Sequence, residues 1–139
     1  MLAAYAKMQY EEMQVQTTPE KQVVMLYDGA LRFLHLGLRA AQGGDLSAQG
    51  YNLARAQDIF SHLDSVLNMD AGKIAVEMRS IYLYCIRRLF VANAEDRTDY
   101  IEEVIDLVDS LRGAWEAAEL IVASERSGEP ATQVAARCA

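Results

Sequence analysis

A chain of 139 residues, 52% apolar and 24% charged, is enough for one domain that closes its core without metal or disulfide help. Its formal charge of -7 and pI near 4.8 leave no diffuse basic surface for neutralising phosphates, which disfavours nucleic acid or an anionic membrane as partner. Two cysteines, Cys85 and Cys138, are too few for a disulfide framework or a zinc site. Lys7, Glu11 and Glu12 interrupt the N-terminal stretch, so it has no signal-peptide core. Asp28, Arg32 and Arg39 cut the most apolar region well short of the roughly 20 residues a bilayer span requires. The expectation is a cytoplasmic chain without a membrane-inserted segment.

Helical spacing of apolar residues runs through nearly everything between the two prolines, Pro19 and Pro130. At Thr17-Thr18-Pro19-Glu20 a hydroxyl can cap free backbone N–H groups, proline is tolerated in the first turn, and Glu20 meets the positive dipole end. Val23, Tyr27, Ala30, Leu34, Leu38 and Ala41 then predict a first helix that stops at Gly43-Gly44. Asp45 is placed to cap a second helix carrying Leu46, Leu53, Ala56, Phe60, Leu63 and Leu67, up to a polar turn at Asn68-Met69-Asp70. From Gly72 a third stripe follows through Ile74, Met78, Ile81, Cys85, Leu89 and Ala92, ending between Asn93 and Arg97. A fourth, from Tyr100 to Val122, starts after Thr98 or Asp99; with Asp99 as cap, Glu102 is placed to reach back as in a capping box.

Four such helices joined by short turns predict an all-α fold, an antiparallel up-down-up-down four-helix bundle over 17–123. Residues 1–16 form a short N-terminal segment. The stretch 124–139 has no apolar stripe and reads as a mobile tail.

Motifs for catalysis are missing from this sequence. It has no Glu-x-x-His pair, no phosphate-cradling glycine loop, no nucleophile elbow and no haem attachment site. His35 and His62 sit on different helices. Asp58 and His62, four apart, share a helix face, a spacing more typical of a surface hydrogen bond than of a dyad. The expectation is therefore no enzyme, no metal and no cofactor.

Charge and tyrosine placement are more telling. Residues 1–94 carry balanced charge, so the acidic excess lies between Glu95 and Leu120. There Asp99, Glu102, Glu103, Asp106, Asp109 and Glu116 share one sector of the fourth helix. Such a stripe is either a solvated face or a steering surface for a basic partner. Seven tyrosines against three phenylalanines add amphipathic rings suited to a half-buried groove. Tyr82 and Tyr84, two residues apart, point about 200° apart around their helix, so one of them lies away from the central seam. Adjacent Arg87 and Arg88 diverge in the same way, either free to pair with a carboxylate.

The run Thr17-Thr18-Pro19-Glu20 followed by Met25-Leu26-Tyr27-Asp28-Gly29-Ala30-Leu31-Arg32-Phe33-Leu34 resembles the signature of the flagellar secretion chaperone FliS family. The similarity continues through Leu53-Ala54-Arg55-Ala56-Gln57-Asp58-Ile59, Gly72-Lys73-Ile74-Ala75, Tyr82-Leu83-Tyr84 with Arg87-Arg88-Leu89 and Ala92-Asn93, and Leu111-Arg112-Gly113-Ala114-Trp115. Gly113 and the Cys85-Ile86 pair depart from the family pattern.

The resemblance implies a cytoplasmic bundle without catalytic activity. Such a bundle binds the C-terminal segment of flagellin in an apolar groove, prevents premature polymerisation and delivers the client to the flagellar export apparatus. It also implies that the N-terminal segment covers the groove when empty, with Tyr5, Met8 and Tyr10 as plug candidates. Tyr27, Asp28, Tyr82, Tyr84, Arg87, Arg88 and Asn93 are the expected client-binding or groove positions. Monomer and homodimer both stay open. The alternatives are an adaptor for another secretion client or a small metal-binding bundle.

Overall fold

The computed structural model describes residues 19–128 together with 130, 132, 133 and 136. Four helices follow in order: α1 (Pro19–Gln42), α2 (Leu46–Ser65), α3 (Lys73–Glu95) and α4 (Thr98–Ser127), with a short 3-10 turn at Met69–Ala71. The described residues contain no strand, and the fold is an all-α helical bundle.

Local chemistry sets the helix ends. The Asp45 carboxylate accepts from the Ala48 backbone N–H at 3.1 Å and so starts α2. Asn68 does the same for Asp70 N–H in the turn before α3. Gly72 carries the chain from that turn into α3 at φ 77°, a conformation that strains any residue with a Cβ. Asp96 ends α3 in the left-handed region, φ 54°.

Two boundaries differ from the sequence reading. Helix α4 starts at Thr98, so Asp99 lies in the first turn and its carboxylate takes the Arg97 guanidinium at 2.7 and 2.9 Å rather than capping. The same helix runs on through Ser124–Ser127, because its backbone hydrogen bonding meets no obstacle before Gly128, whose N–H bonds Ser124 O at 2.9 Å.

The chain divides into two compact units. One is Leu26–Leu111; the other contains the described residues 19–25 and those from Arg112 onward. In Leu26–Leu111 the stripes meet in a core of Tyr27, Ala30 and Leu34 from α1, Leu53, Ala56, Phe60 and Leu63 from α2, Met78, Tyr82, Cys85, Leu89 and Ala92 from α3, and Ile101, Val104 and Val108 from α4. Burying such side chains contributes roughly 1.5–3 kcal/mol for each large one.

Contacts fix the register of the neighbours. Gly29 lies against Ile59, and Gly37 against Leu53 and Asn52, so α1 and α2 run antiparallel. A Cβ at Gly37 would stand 2.8 Å from Leu53 Cδ2, which makes glycine the condition for this close approach. Helices α2 and α3 are likewise antiparallel: Gln49 meets Asn93, Gln57 Nε2 donates to Ile86 O, Phe60 packs on Tyr82, and Asp64 pairs with Arg79.

Candidate functional site

Helix α3 carries five of the seven expected site residues, and its 100° step per residue sends them in different directions. Tyr82 points inward. It is 1% exposed, and its hydroxyl lies 2.7 Å from that of Tyr27, itself fully buried. Burial pushes the Tyr82 hydroxyl above its usual value, and the bond to Tyr27 opposes part of that rise. Of the expected client-binding or groove positions, Tyr27 and Tyr82 thus lie in the core, where tertiary packing closes over both rings.

Tyr84 points the other way, 37% exposed, and donates its hydroxyl to Glu103 of α4. Arg88 joins the same carboxylate through Nε and Nη2, at 3.2 and 3.0 Å. Its guanidinium lies 3.5 Å from the centre of the Tyr100 ring, with Arg97 4.1 Å from the same centre. The Tyr84 hydroxyl bond, then Arg88, hold the Glu103 carboxyl below its usual range. This cluster is a clasp between α3 and α4, in which Arg88 orients the two helices.

Asn93 faces α2. Its Oδ1 accepts from Nε2 of Gln49, a 1%-exposed amide, at 3.1 Å. Asp28 on α1 and Arg87 on α3 are exposed, and Arg87 makes no ion pair among the described residues. The seven residues thus divide among the core, two helix seams and the outer surface, without converging on one pocket. Tyr5, Met8 and Tyr10 lie outside the described residues.

Sequence reasoning missed one feature. On the side of α3 turned away from its buried residues, Val76, Leu83 and Phe90 repeat every seven positions and are 54%, 38% and 69% exposed. The signal was legible as a second apolar spacing on a helix that already had one stripe. On α2, Tyr51 is also exposed, under the Arg55 guanidinium. On α4 the acidic stripe separates into two sets among the described residues. Asp99 binds Arg97, Glu103 binds Arg88 and Glu116 binds Arg112, whereas Glu102, Asp106 and Asp109 point to solvent.

Among the described residues no group of three or more His, Cys, Asp or Glu is placed to hold a metal. Cys85 is fully buried, and desolvation pushes its thiol up to about 12, so it is no nucleophile at neutral pH. None of the described helices is long and apolar enough to cross a membrane.

A family described as "Flagellar protein FliS" matches residues 1–121. The flagellar secretion chaperone FliS of Bacillus subtilis (strain 168) is 35% identical over 118 residues, covering 84% of this chain and 86% of that protein. Proteins of the same name from Vibrio cholerae and Salmonella typhimurium are 31% and 33% identical, each over 116 residues. They cover 83% and 82% of this chain, and 85% and 86% of their own lengths.

Proposed function

Because this chain belongs to the FliS family of flagellar proteins, we propose that it is a cytoplasmic export chaperone that binds the C-terminal segment of flagellin, prevents its premature polymerisation and delivers it to the flagellar export apparatus. Relatives named flagellar secretion chaperones support the export role. The observation that carries client binding is the exposed apolar row Val76, Leu83 and Phe90, next to the outward-facing Tyr84 and Arg87. An apolar row on the far side of a helix is unexpected for a surface left in water and fits recognition of an amphipathic segment.

The physical logic is occupancy. A disordered terminus that buries an apolar face in a filament needs a substitute surface before assembly, and while bound it cannot join another subunit. In this reading Tyr84, Arg87 and Asp28 touch the client. Tyr27, Tyr82, Arg88 and Asn93 hold the frame that presents them. The N-terminal segment, through Tyr5, Met8 and Tyr10, competes with the client for the apolar surface, and the solvent-facing Glu102, Asp106 and Asp109 steer basic parts of a partner.

Calorimetric titration with a C-terminal flagellin peptide, against the N-terminal flagellin segment as control, tests the reading. One-to-one binding of the former alone, with a negative heat-capacity change, is the expected result. Removal of residues 1–14 tightens binding if the segment is a plug. No binding to the full chain or to the shortened one overturns flagellin as client. Reversing Glu102 and Asp106 to lysine slows association and weakens its salt dependence.

A further inference from the structure

Two exposed arginines are set into the apolar row of α3, and only one of them is answered. Arg79 lies three positions after Val76 and four before Leu83. Arg87 lies four after Leu83 and three before Phe90, so each shares a helix face with the two apolar residues that flank it. Arg79 is held by Asp64 of α2, with Nε 3.2 Å from Oδ1 and Nη2 3.5 Å from Oδ2, and the Asp64 side chain is only 16% exposed. Arg87 makes no ion pair among the described residues, because Glu103, the carboxylate that crosses from α4, is taken by Arg88 and Tyr84. Along α3 itself the nearest carboxylates are Glu77, ten positions before Arg87, and Glu95, eight after it, roughly 15 and 12 Å along the axis.

A guanidinium without a counter-charge is tolerated while water covers it. Once an apolar segment is laid over Leu83 and Phe90, Arg87 loses part of that water, and a charge covered without a partner is costly. The row therefore discriminates between occupants. One that brings a carboxylate to Arg87 gains a charge-assisted pair, whereas one that does not leaves a desolvated cation. A terminal α-carboxylate fits this position poorly. Arg87 sits inside the row, and a chain that ended there would leave either Phe90 or both Leu83 and Val76 uncovered.

We propose that Arg87 is the specificity-determining residue of this surface, and that the segment bound along α3 carries an Asp or Glu side chain beside its apolar stripe, paired with Arg87. That the segment is the flagellin C-terminus rests on the function proposed above; the demand for a carboxylate rests on Arg87 and the row. Arg79 has a matching placement and no such role, because Asp64 already holds it.

Calorimetric titration of the full chain with two sets of probes tests this. The first is the C-terminal flagellin peptide, with each Asp or Glu replaced in turn by Asn or Gln and, separately, with its terminus amidated. The second is a designed amphipathic helix whose apolar stripe is flanked by either Glu or Gln. One flagellin replacement is expected to weaken binding about tenfold to the unmodified chain and not at all to Arg87→Gln. The amidated peptide binds as the free acid does, and Arg87→Glu prefers a peptide with Lys at the sensitive position. The Glu helix binds more tightly than the Gln helix, a preference that Arg87→Gln removes. Arg79→Gln lowers the urea midpoint and keeps both preferences. Flagellin binding in which no side-chain replacement couples to Arg87, or in which only amidation does, overturns the proposal and leaves the chaperone reading standing. A flagellin peptide that does not bind, beside an Arg87-dependent preference for the Glu helix, overturns that reading and supports the proposal. No binding of either probe overturns both.

Discussion

The hydroxyls of Tyr27 and Tyr82 meet 2.7 Å apart in the core, joining α1 to α3 across 55 residues of chain. Each ring supplies apolar area, and the hydrogen bond between the hydroxyls gives each buried polar group a partner. Tyr27→Phe and Tyr82→Phe are each expected to destabilise the fold. The double variant loses less than the sum, with a coupling of about 0.5–1.5 kcal/mol in a urea-denaturation cycle.

Alkaline pH tests the same core. The Tyr82 hydroxyl and the Cys85 thiol are raised chiefly by desolvation, the thiol from 9.0 to about 12. Both stay neutral in the folded chain and ionise more easily once unfolded. Their stabilisation is therefore complete below pH 9 and falls away as pH rises toward 12. Urea midpoints are expected to drop over that window, and Cys85→Ala to flatten the drop. An identical alkaline limb in the variant would remove the thiol from this account.

Acid acts on the α3 and α4 clasp. The hydroxyl of Tyr84 and the guanidinium of Arg88 lower the Glu103 carboxyl from its ordinary 4.5. Its contribution is complete above that value and lost as pH falls through the lower folded value. Glu103→Gln is expected to lower the midpoint modestly at neutral pH and to flatten its acid limb, with a reduced salt dependence, because the pair is partly exposed.

Two glycines should respond with opposite signs. Gly37→Ala drives a Cβ to within 2.8 Å of the buried Leu53 and is expected to cost about 1–3 kcal/mol despite better helix propensity. Gly113, exposed on α4, has nothing within 4 Å of the same position, and Gly113→Ala is expected to gain up to about 1 kcal/mol. Thermal and urea unfolding of the two variants check the contrast.

Asn93 separates framework from contact. Asn93→Ala deprives the buried Gln49 amide of its acceptor and is expected to cost about 1–3 kcal/mol in urea denaturation. Unchanged stability with weakened flagellin-peptide affinity would instead assign Asn93 to the binding surface.

Most of the helix order was legible in the sequence because its signals are local. Asp45 as cap, the stop before Gly43, the turn at Asn68 and the stripes each depend on residues within a few positions. The ordered motifs leading to the FliS family were legible in the same way. Legibility failed where one helix offers two choices. Helix α3 has apolar residues on both faces, and periodicity treats Val76, Leu83 and Phe90 as no less suited to a core than Met78, Cys85 and Leu89.

Residue spacing alone determined that Tyr82 and Tyr84 diverge, that Arg87 and Arg88 diverge, and that helix four carries the acidic excess. Only the tertiary structure decided which member of each pair turns inward or across a seam. It buried Tyr82 against Tyr27, sent Tyr84 and Arg88 to Glu103, and left Arg87 and the apolar row outside. The reason is that a sequence sets angles around each helix axis, whereas the direction of the core is set by neighbouring helices whose stripes lie dozens of residues away.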